Sequence, residues 1–238
     1  MKRIQTLGLL LALGIAPAHA ANLDNIAALA SQTEFRLLSE DLGAALSYKP
    51  LTPATPLGIT GFDIGVQAVY TEFNSSGLYK AATNSDDTSI VLPQVHVYKG
   101  LPFGFDIGAS YAALPDGNIR LWGAELRYAI LSGGPATPAI GLRASYTSLQ
   151  GVSQLALRTT GLDLSISKGF AFITPYAGIG SVWVTSTPDS ATTWSGEDFR
   201  LNKYYLGVNM NLAVINIAVE GDRTGEATSY GLKLGWRF

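Results

Sequence analysis

The chain has 238 residues, of which 47% are hydrophobic, 14% charged and 10% aromatic, with 26 Gly, no Cys and a formal net charge of −2. Low charge with ample aromatics excludes a disordered chain, and the missing thiols exclude disulfide scaffolds, zinc–thiolate and iron–sulfur sites and cysteine nucleophiles. A weakly acidic chain also lacks the basic face that nucleic acid requires, so no nucleic-acid partner is expected.

Residues 1–20 read as a secretory signal peptide. Lys2 and Arg3 supply the basic start, Leu7 to Ala16 the apolar run, and Ala18-His19-Ala20 the small-x-small cleavage pattern. The run is too short to span a bilayer and is interrupted at Pro17. Removal of Lys2 and Arg3 shifts the net charge from −2 to −4. Residues 21–56 form an N-terminal helical segment and connector. Leu23, Ile26, Ala27 and Ala30, then Leu37, Leu38, Leu42, Ala45 and Leu46, recur at three- and four-residue spacing, which predicts one or two amphipathic helices. Ser31 and Glu34 match a capping box, Gly43 weakens the helix interior, and Pro50, Pro53 and Pro56 stiffen the connector. An apolar helical face tethered to the first strand needs a partner, and a partial plug inside the barrel or across its periplasmic mouth is expected, the alternative being a periplasmic helix on the membrane surface or against a partner.

From residue 57 the pattern changes to period two, which places alternate side chains on opposite faces. Ten strands are predicted, at about 57–73, 88–99, 102–114, 118–131, 138–148, 157–168, 171–187, 199–213, 214–222 and 227–238. Tyr230, Leu232, Leu234, Trp236 and Phe238 alternate with Ser229, Gly231, Lys233, Gly235 and Arg237, and Trp122, Ala124, Leu126, Tyr128 and Ile130 with Gly123, Glu125 and Arg127. The seventh segment fits either facing. A sandwich that meets water on its outer face would carry that face in Lys and Glu. Here the polar face is rich in Gly, Ser and Asn, with Asp63, Asp106, Glu125, Asp163 and Glu220 against Arg127, Arg143, Lys203, Lys233 and Arg237, five of each sign. Sparse, balanced charge suits a crowded lumen, and the uniform apolar face suits lipid. The fold class expected is all-β, an antiparallel transmembrane β-barrel of about ten strands, within a range of 8 to 12, spanning 57–238. With ten strands, the long connections 74–87 and 188–198 fall on the external side, while Gly100-Leu101, 132–137, Gly169-Phe170 and the junction near Val214 are periplasmic. Pro115-Asp116-Gly117 is the one short external turn.

The terminal strand, with Phe238 last and Trp236, Leu234, Leu232 and Tyr230 at alternate positions before it, resembles that of Gram-negative outer-membrane β-barrels. That resemblance implies an outer-membrane location and recognition of those five residues by the barrel-assembly machinery, and both termini of such a barrel are expected on the periplasmic side. The stretch from Leu38 to Gly65 looks like that of an uncharacterised proteobacterial small-barrel family with no assigned activity.

Catalytic signals are weak. His96 is the only histidine after the signal segment; it lies on the polar face with Gln94 and Tyr98, and no G-x-S-x-G motif accompanies it. A hydrogen-bonded lumen histidine is the expected role, and no enzyme activity, cofactor or metal is expected. The runs Asp86-Asp87 and Glu197-Asp198 lack calcium-loop spacing. The candidate lumen set is Asp63, Gln67, His96, Asp106, Glu125, Arg127, Arg143, Asp163, Lys203, Glu220, Lys233 and Arg237. The leading functional expectation is a narrow pore or passive small-solute transporter; the alternative is a structural or surface-interaction barrel without a transport path. Partners expected are outer-membrane lipid and lipopolysaccharide, the assembly machinery and a small solute.

Overall fold

A computed structural model describes residues 22–114, 118–190 and 192–238. The expected signal segment and the Pro115-Asp116-Gly117 turn lie outside the described residues. Helix α1 (Gln32–Leu46) precedes β1 (Phe62–Glu72); helix α2 (Ser76–Thr83) separates it from β2 (Ser89–Gly100). Then come β3 (Phe105–Ala113), β4 (Arg120–Ser132), β5 (Ala139–Gln150), β6 (Leu155–Ser167), β7 (Ile173–Pro188), β8 (Glu197–Leu212), β9 (Ile215–Thr224) and β10 (Ala227–Arg237). Every sequential pair is antiparallel, and β1 pairs with β10, so the sheet is a closed ten-strand barrel. Closure extends to the last residue: Phe62 and Phe238 exchange backbone hydrogen bonds of 2.7 and 3.0 Å.

The registers accumulate an offset of about 12 residues around the barrel, which sets a strand tilt of about 40°. Connections after β1, β3, β5, β7 and β9 form one mouth, here the loop mouth; those after β2, β4, β6 and β8 form the turn mouth. Two strands start later than the alternation suggests. Residues 57–61 turn beneath the barrel, where Lys99 Nζ bonds the Ile59 carbonyl, and β1 begins at Phe62. Residues 102–104 form a 3₁₀ turn carrying Phe103 at φ 63°, so β3 begins at Phe105.

The N-terminal segment contains one α-helix, with a single 3₁₀ turn at Ile26–Ala28 before it. The Ser31 hydroxyl accepts from Glu34 N at 3.2 Å, while the Glu34 carboxylate accepts from Ala30 N at 2.6 Å, one residue before the usual capping-box donor. The helix lies inside the barrel near the loop mouth. Ser39 Oγ is 2.8 Å from Ser186 Oγ on β7, and Asp41 accepts from Asn74 N and Ser75 N in the loop after β1. Gly43 permits this seat, because a Cβ there would lie 2.7 Å from a Val184 methyl.

The interior has two zones. Toward the loop mouth, Phe35, Leu38, Leu42 and Leu46 of α1 join Leu92, Leu121, Leu157, Val182 and Val184 of the wall in one buried apolar cluster. There the usual polarity inverts: Leu157 faces in and Arg158 faces out. Toward the turn mouth the interior is charged. The inward set of β7, ambiguous in sequence, is Thr174, Tyr176, Val182, Val184 and Ser186.

Candidate functional site: the sealed lumen

Residues Asp41 through Ala54 are buried without a break. After α1 the chain descends the lumen in extended form, bonded to the wall at successive levels. Thr147 Oγ1 donates to the Leu46 carbonyl at 2.9 Å, and Lys203 Nζ to the Tyr48 carbonyl at 2.8 Å. Gln67 Nε2 donates to the Lys49 carbonyl at 2.9 Å, and Tyr98 OH to the Pro50 carbonyl at 3.2 Å. Arg127 donates to Thr52 Oγ1 and the Pro53 carbonyl at 3.0 and 2.7 Å; Ala54 N donates to Ser167 Oγ at 3.1 Å and Leu57 N to Asp106 Oδ1 at 3.0 Å. The prolines suit this run, since a strap without ladder partners gains from having fewer N–H groups to satisfy. Leu51 sits at φ 48° and is fully buried against Gly231, Val69 and Ala218, a left-handed conformation that a side chain adopts only under tertiary constraint.

The wall charges pair around this strap. Asp63 binds Lys233 at 2.8 Å, Arg237 at 2.5 Å and His96 Nε2 at 3.2 Å. Arg127 binds Asp106 at 2.5 Å. Arg143 lies 2.9 Å from Glu125 and 3.8 Å from Asp163, which Lys203 approaches to 3.6 Å. Glu220 accepts from Tyr176 OH at 2.9 Å. The structure therefore places Asp63, Gln67, His96, Asp106, Glu125, Arg127, Arg143, Asp163, Lys203, Glu220 and Lys233 in the buried interior, with Arg237 at its turn-mouth edge. It gathers them into several linked groups rather than one catalytic constellation. No serine or threonine hydroxyl hydrogen-bonds His96 among the described residues.

Two further participants lie on this inward face outside the predicted set. Asp222 is a sixth inward carboxylate, and its partner is Lys49 of the strap, with both side chains 2% exposed. Six wall carboxylates thus face five wall lysines and arginines plus Lys49 of the strap. The β9 alternation continues from Glu220 to Asp222, and that phase is the signal in the sequence that points to a sixth acid. Tyr–Gly neighbours are the other: the rings of Tyr98, Tyr205 and Tyr176 cover Gly108, Gly178 and Gly207 of adjacent strands, where an added Cβ would fall 2.2 to 2.3 Å from the ring. These inward glycines are therefore occupied rather than vacant space.

At the helix, burial pushes the Asp41 carboxyl above the usual carboxylate range, opposed by the two backbone N–H groups that it accepts from. Outside α1, Glu197 binds Arg36 at 3.1 Å, Asp198 accepts from Thr185 Oγ1 at 2.7 Å, and Asp86 lies 3.7 Å from Lys80. No group of three or more potential metal ligands occurs among the described residues.

The outer wall decides where the molecule resides. Ile64, Val95, Ile130, Ile166, Ile179 and Leu206 are 48 to 67% exposed, and outward charges occur only at the strand ends. On β4 the ten steps from Arg120 to Ile130, at about 3.3 Å each and about 40° of tilt, give a height of about 25 Å, that of a transmembrane barrel's apolar band. Tyr230, Leu234, Trp236 and Phe238 stand on this face, with Leu232 half-buried among them. A closed barrel leaves no unpaired sheet edge in lipid. The protein is an integral outer-membrane β-barrel; the loop mouth is external and the turn mouth periplasmic.

No protein-family model matches the chain, and no curated protein does. Solved structures similar to it include the N-terminal β-barrel domain of Pseudomonas aeruginosa OprF (14% identity, 76% of this chain and 99% of that one, TM-score 0.38). Others are the Pseudomonas aeruginosa outer membrane protein OprG (11%, 79% and 99%, 0.38) and the KdgM porin (8%, 75% and 99%, 0.38). The class stated above rests on the closed sheet and its apolar belt, not on these likenesses.

One expectation needs correction. Both termini are expected on the periplasmic side, and Phe238 is at the turn mouth, but the first described residues are at the opposite one. Leu23 N donates to Asn118 Oδ1 and Ile26 N to Gln154 Oε1, both in external connections. The reason is that the strap crosses the full lumen before β1 begins.

Proposed function

We propose that this protein is a structural or surface-interaction outer-membrane barrel whose lumen is sealed by its own N-terminal segment, and that it performs no catalysis. The observation that supports this most is the unbroken burial of Asp41 through Ala54, with wall donors and acceptors meeting the strap from α1 down to Leu57. A solute path would have to replace those bonds. A second reading, a narrow passage that opens when the strap leaves, draws on one observation: removing Lys49 leaves six carboxylates against five fixed cations, the charge pattern of a cation-selective lumen.

Planar-bilayer conductance separates the two. The chain has no cysteine, so Ser39→Cys with Ser186→Cys, whose hydroxyls are 2.8 Å apart, makes a single lock between helix and wall. The sealed reading expects silence in both the reduced and the disulfide-locked protein, and conductance once residues 22–48 are deleted. Openings when reduced that vanish on oxidation support the gated passage. Steady conductance with the lock closed overturns the sealed lumen.

A further inference from the structure

Outward charge on the barrel is confined to its rims, and at the external rim its arginines stand on one side. Arg120 on β4, Arg158 on β6 and Arg200 on β8 all face out and are exposed. Their heights follow from register. Arg120 pairs across with Gln150, while Arg158 pairs with Ser148, two residues lower on β5. Arg158 pairs in turn with Thr185, while Arg200 pairs with Trp183, two residues lower on β7. A barrel with an offset of about 12 residues over ten strands must drop about 2.4 residues every two strands to hold a constant height. The three arginines therefore share one level, with Cα atoms about 12 Å apart along the wall once the two-residue drop is counted, an arc of roughly 23 Å. The apolar band begins just below, where Trp122 stands two residues beneath Arg120 on the same face.

None of the three has an ion-pair partner among the described residues, whereas Arg223, lower on β9, is held by Glu226 at 2.5 Å. Asp198, the nearest outward carboxylate on β8, accepts from Thr185 Oγ1. The other side of the barrel at this height carries Glu72 of β1, Ser89 of β2, Ala113 of β3 and Thr228 of β10. Three unpaired guanidinium groups at the boundary between lipid and water, on one face only, call for planar anions at headgroup depth, and guanidinium forks match phosphate oxygens two at a time.

We propose that Arg120, Arg158 and Arg200 form a binding arc for the phosphate groups of the phosphorylated glycolipid in the outer leaflet. The test uses the refolded chain from Ala21, with fluorescent lipopolysaccharide as probe. Arg120→Gln, Arg158→Gln and Arg200→Gln combined should weaken binding at least tenfold, and Arg223→Gln by less than threefold. Phosphatase-treated lipopolysaccharide should bind the unmodified protein as weakly as the intact lipid binds the triple variant. Heat-modifiable migration reports that each variant folds; if the triple variant fails, the single ones should each weaken binding two- to fourfold. Unchanged binding by the variants, or equal binding of the dephosphorylated lipid, overturns the proposal. So does equal competition by phosphatidylglycerol vesicles or inorganic phosphate, which would mean a generic anion preference. An arginine-dependent dimer in ultracentrifugation would assign the arc to a second copy instead. These residues face away from the lumen, so failure here leaves the conductance test of the sealed barrel standing.

Discussion

Replacing Lys49 by Met probes the seal at its most exposed dependency. The lysine is buried, pairs with Asp222, and lies 3.4 Å from Thr224 Oγ1. Methionine keeps the stem volume and removes only the charge, so Asp222 is left buried with Thr224 Oγ1, at 3.1 and 3.2 Å, as its remaining donor. Breaking a buried pair from one side costs about 3–5 kcal/mol, and the surviving hydroxyl contact places this case near 3. If the cost falls on strap docking, about 3 kcal/mol corresponds to roughly a 150-fold shift toward the undocked state. Urea unfolding in lipid vesicles followed by tryptophan emission measures the loss, and bilayer recordings should show openings that the unmodified chain lacks. Asp222→Asn in the Lys49→Met background removes the orphaned charge and should return most of the stability, giving a coupling energy of at least about 2 kcal/mol in the double-mutant cycle. A Lys49→Met protein within about 0.5 kcal/mol of the original, or two changes that simply add, would refute the reasoning.

Two further expectations concern α1. Gly43→Ala should destabilise by about 1–3 kcal/mol despite alanine's better helix propensity, because the new methyl meets Val184, and Val184→Ala should restore much of it. Protease protection of the helix reads both. For Asp41 the sign follows from its raised carboxyl pKa. The native state binds the proton more tightly than the unfolded chain, so helix docking is strongest below the unfolded carboxylate range and weakens as pH rises through it toward the raised value. Asp41→Asn should flatten that dependence in thermal unfolding between about pH 4 and 6; an unchanged slope would exclude Asp41 as its source.

Much of the wall is legible in the order of residues alone. All ten strands follow from period two, because lipid on one side and a polar interior on the other impose opposite chemistry on alternate residues. The lumen charges from Asp63 to Arg237 follow for the same reason. Alternation cannot say what fills the space it encloses, so the direction of the strap and the role of Lys49 stay hidden from it. It also fails where its cause fails. Near the external mouth α1 supplies an apolar core, so Leu155 and Leu157 face in while Arg158 faces out, and the pattern there inverts rather than disappears. The ambiguous β7 is explained by its glycines: Gly178 and Gly180 are small because Tyr205 and Asp163 cover them, so they carry no facing signal of their own.

The N-terminal segment crosses the lumen from β1 and reaches the loop mouth at Leu23 and Ile26. In a chain without cysteine, Ala28→Cys places one exposed thiol beside the external connections, and Thr137→Cys places one at the turn mouth. A membrane-impermeant maleimide applied to intact cells tests that path directly. The threaded arrangement predicts labelling of the thiol at position 28 on intact cells, and of the thiol at position 137 only after the outer membrane is permeabilised. Labelling of position 28 that also requires permeabilisation would place the segment on the periplasmic side and contradict the sealed, threaded lumen.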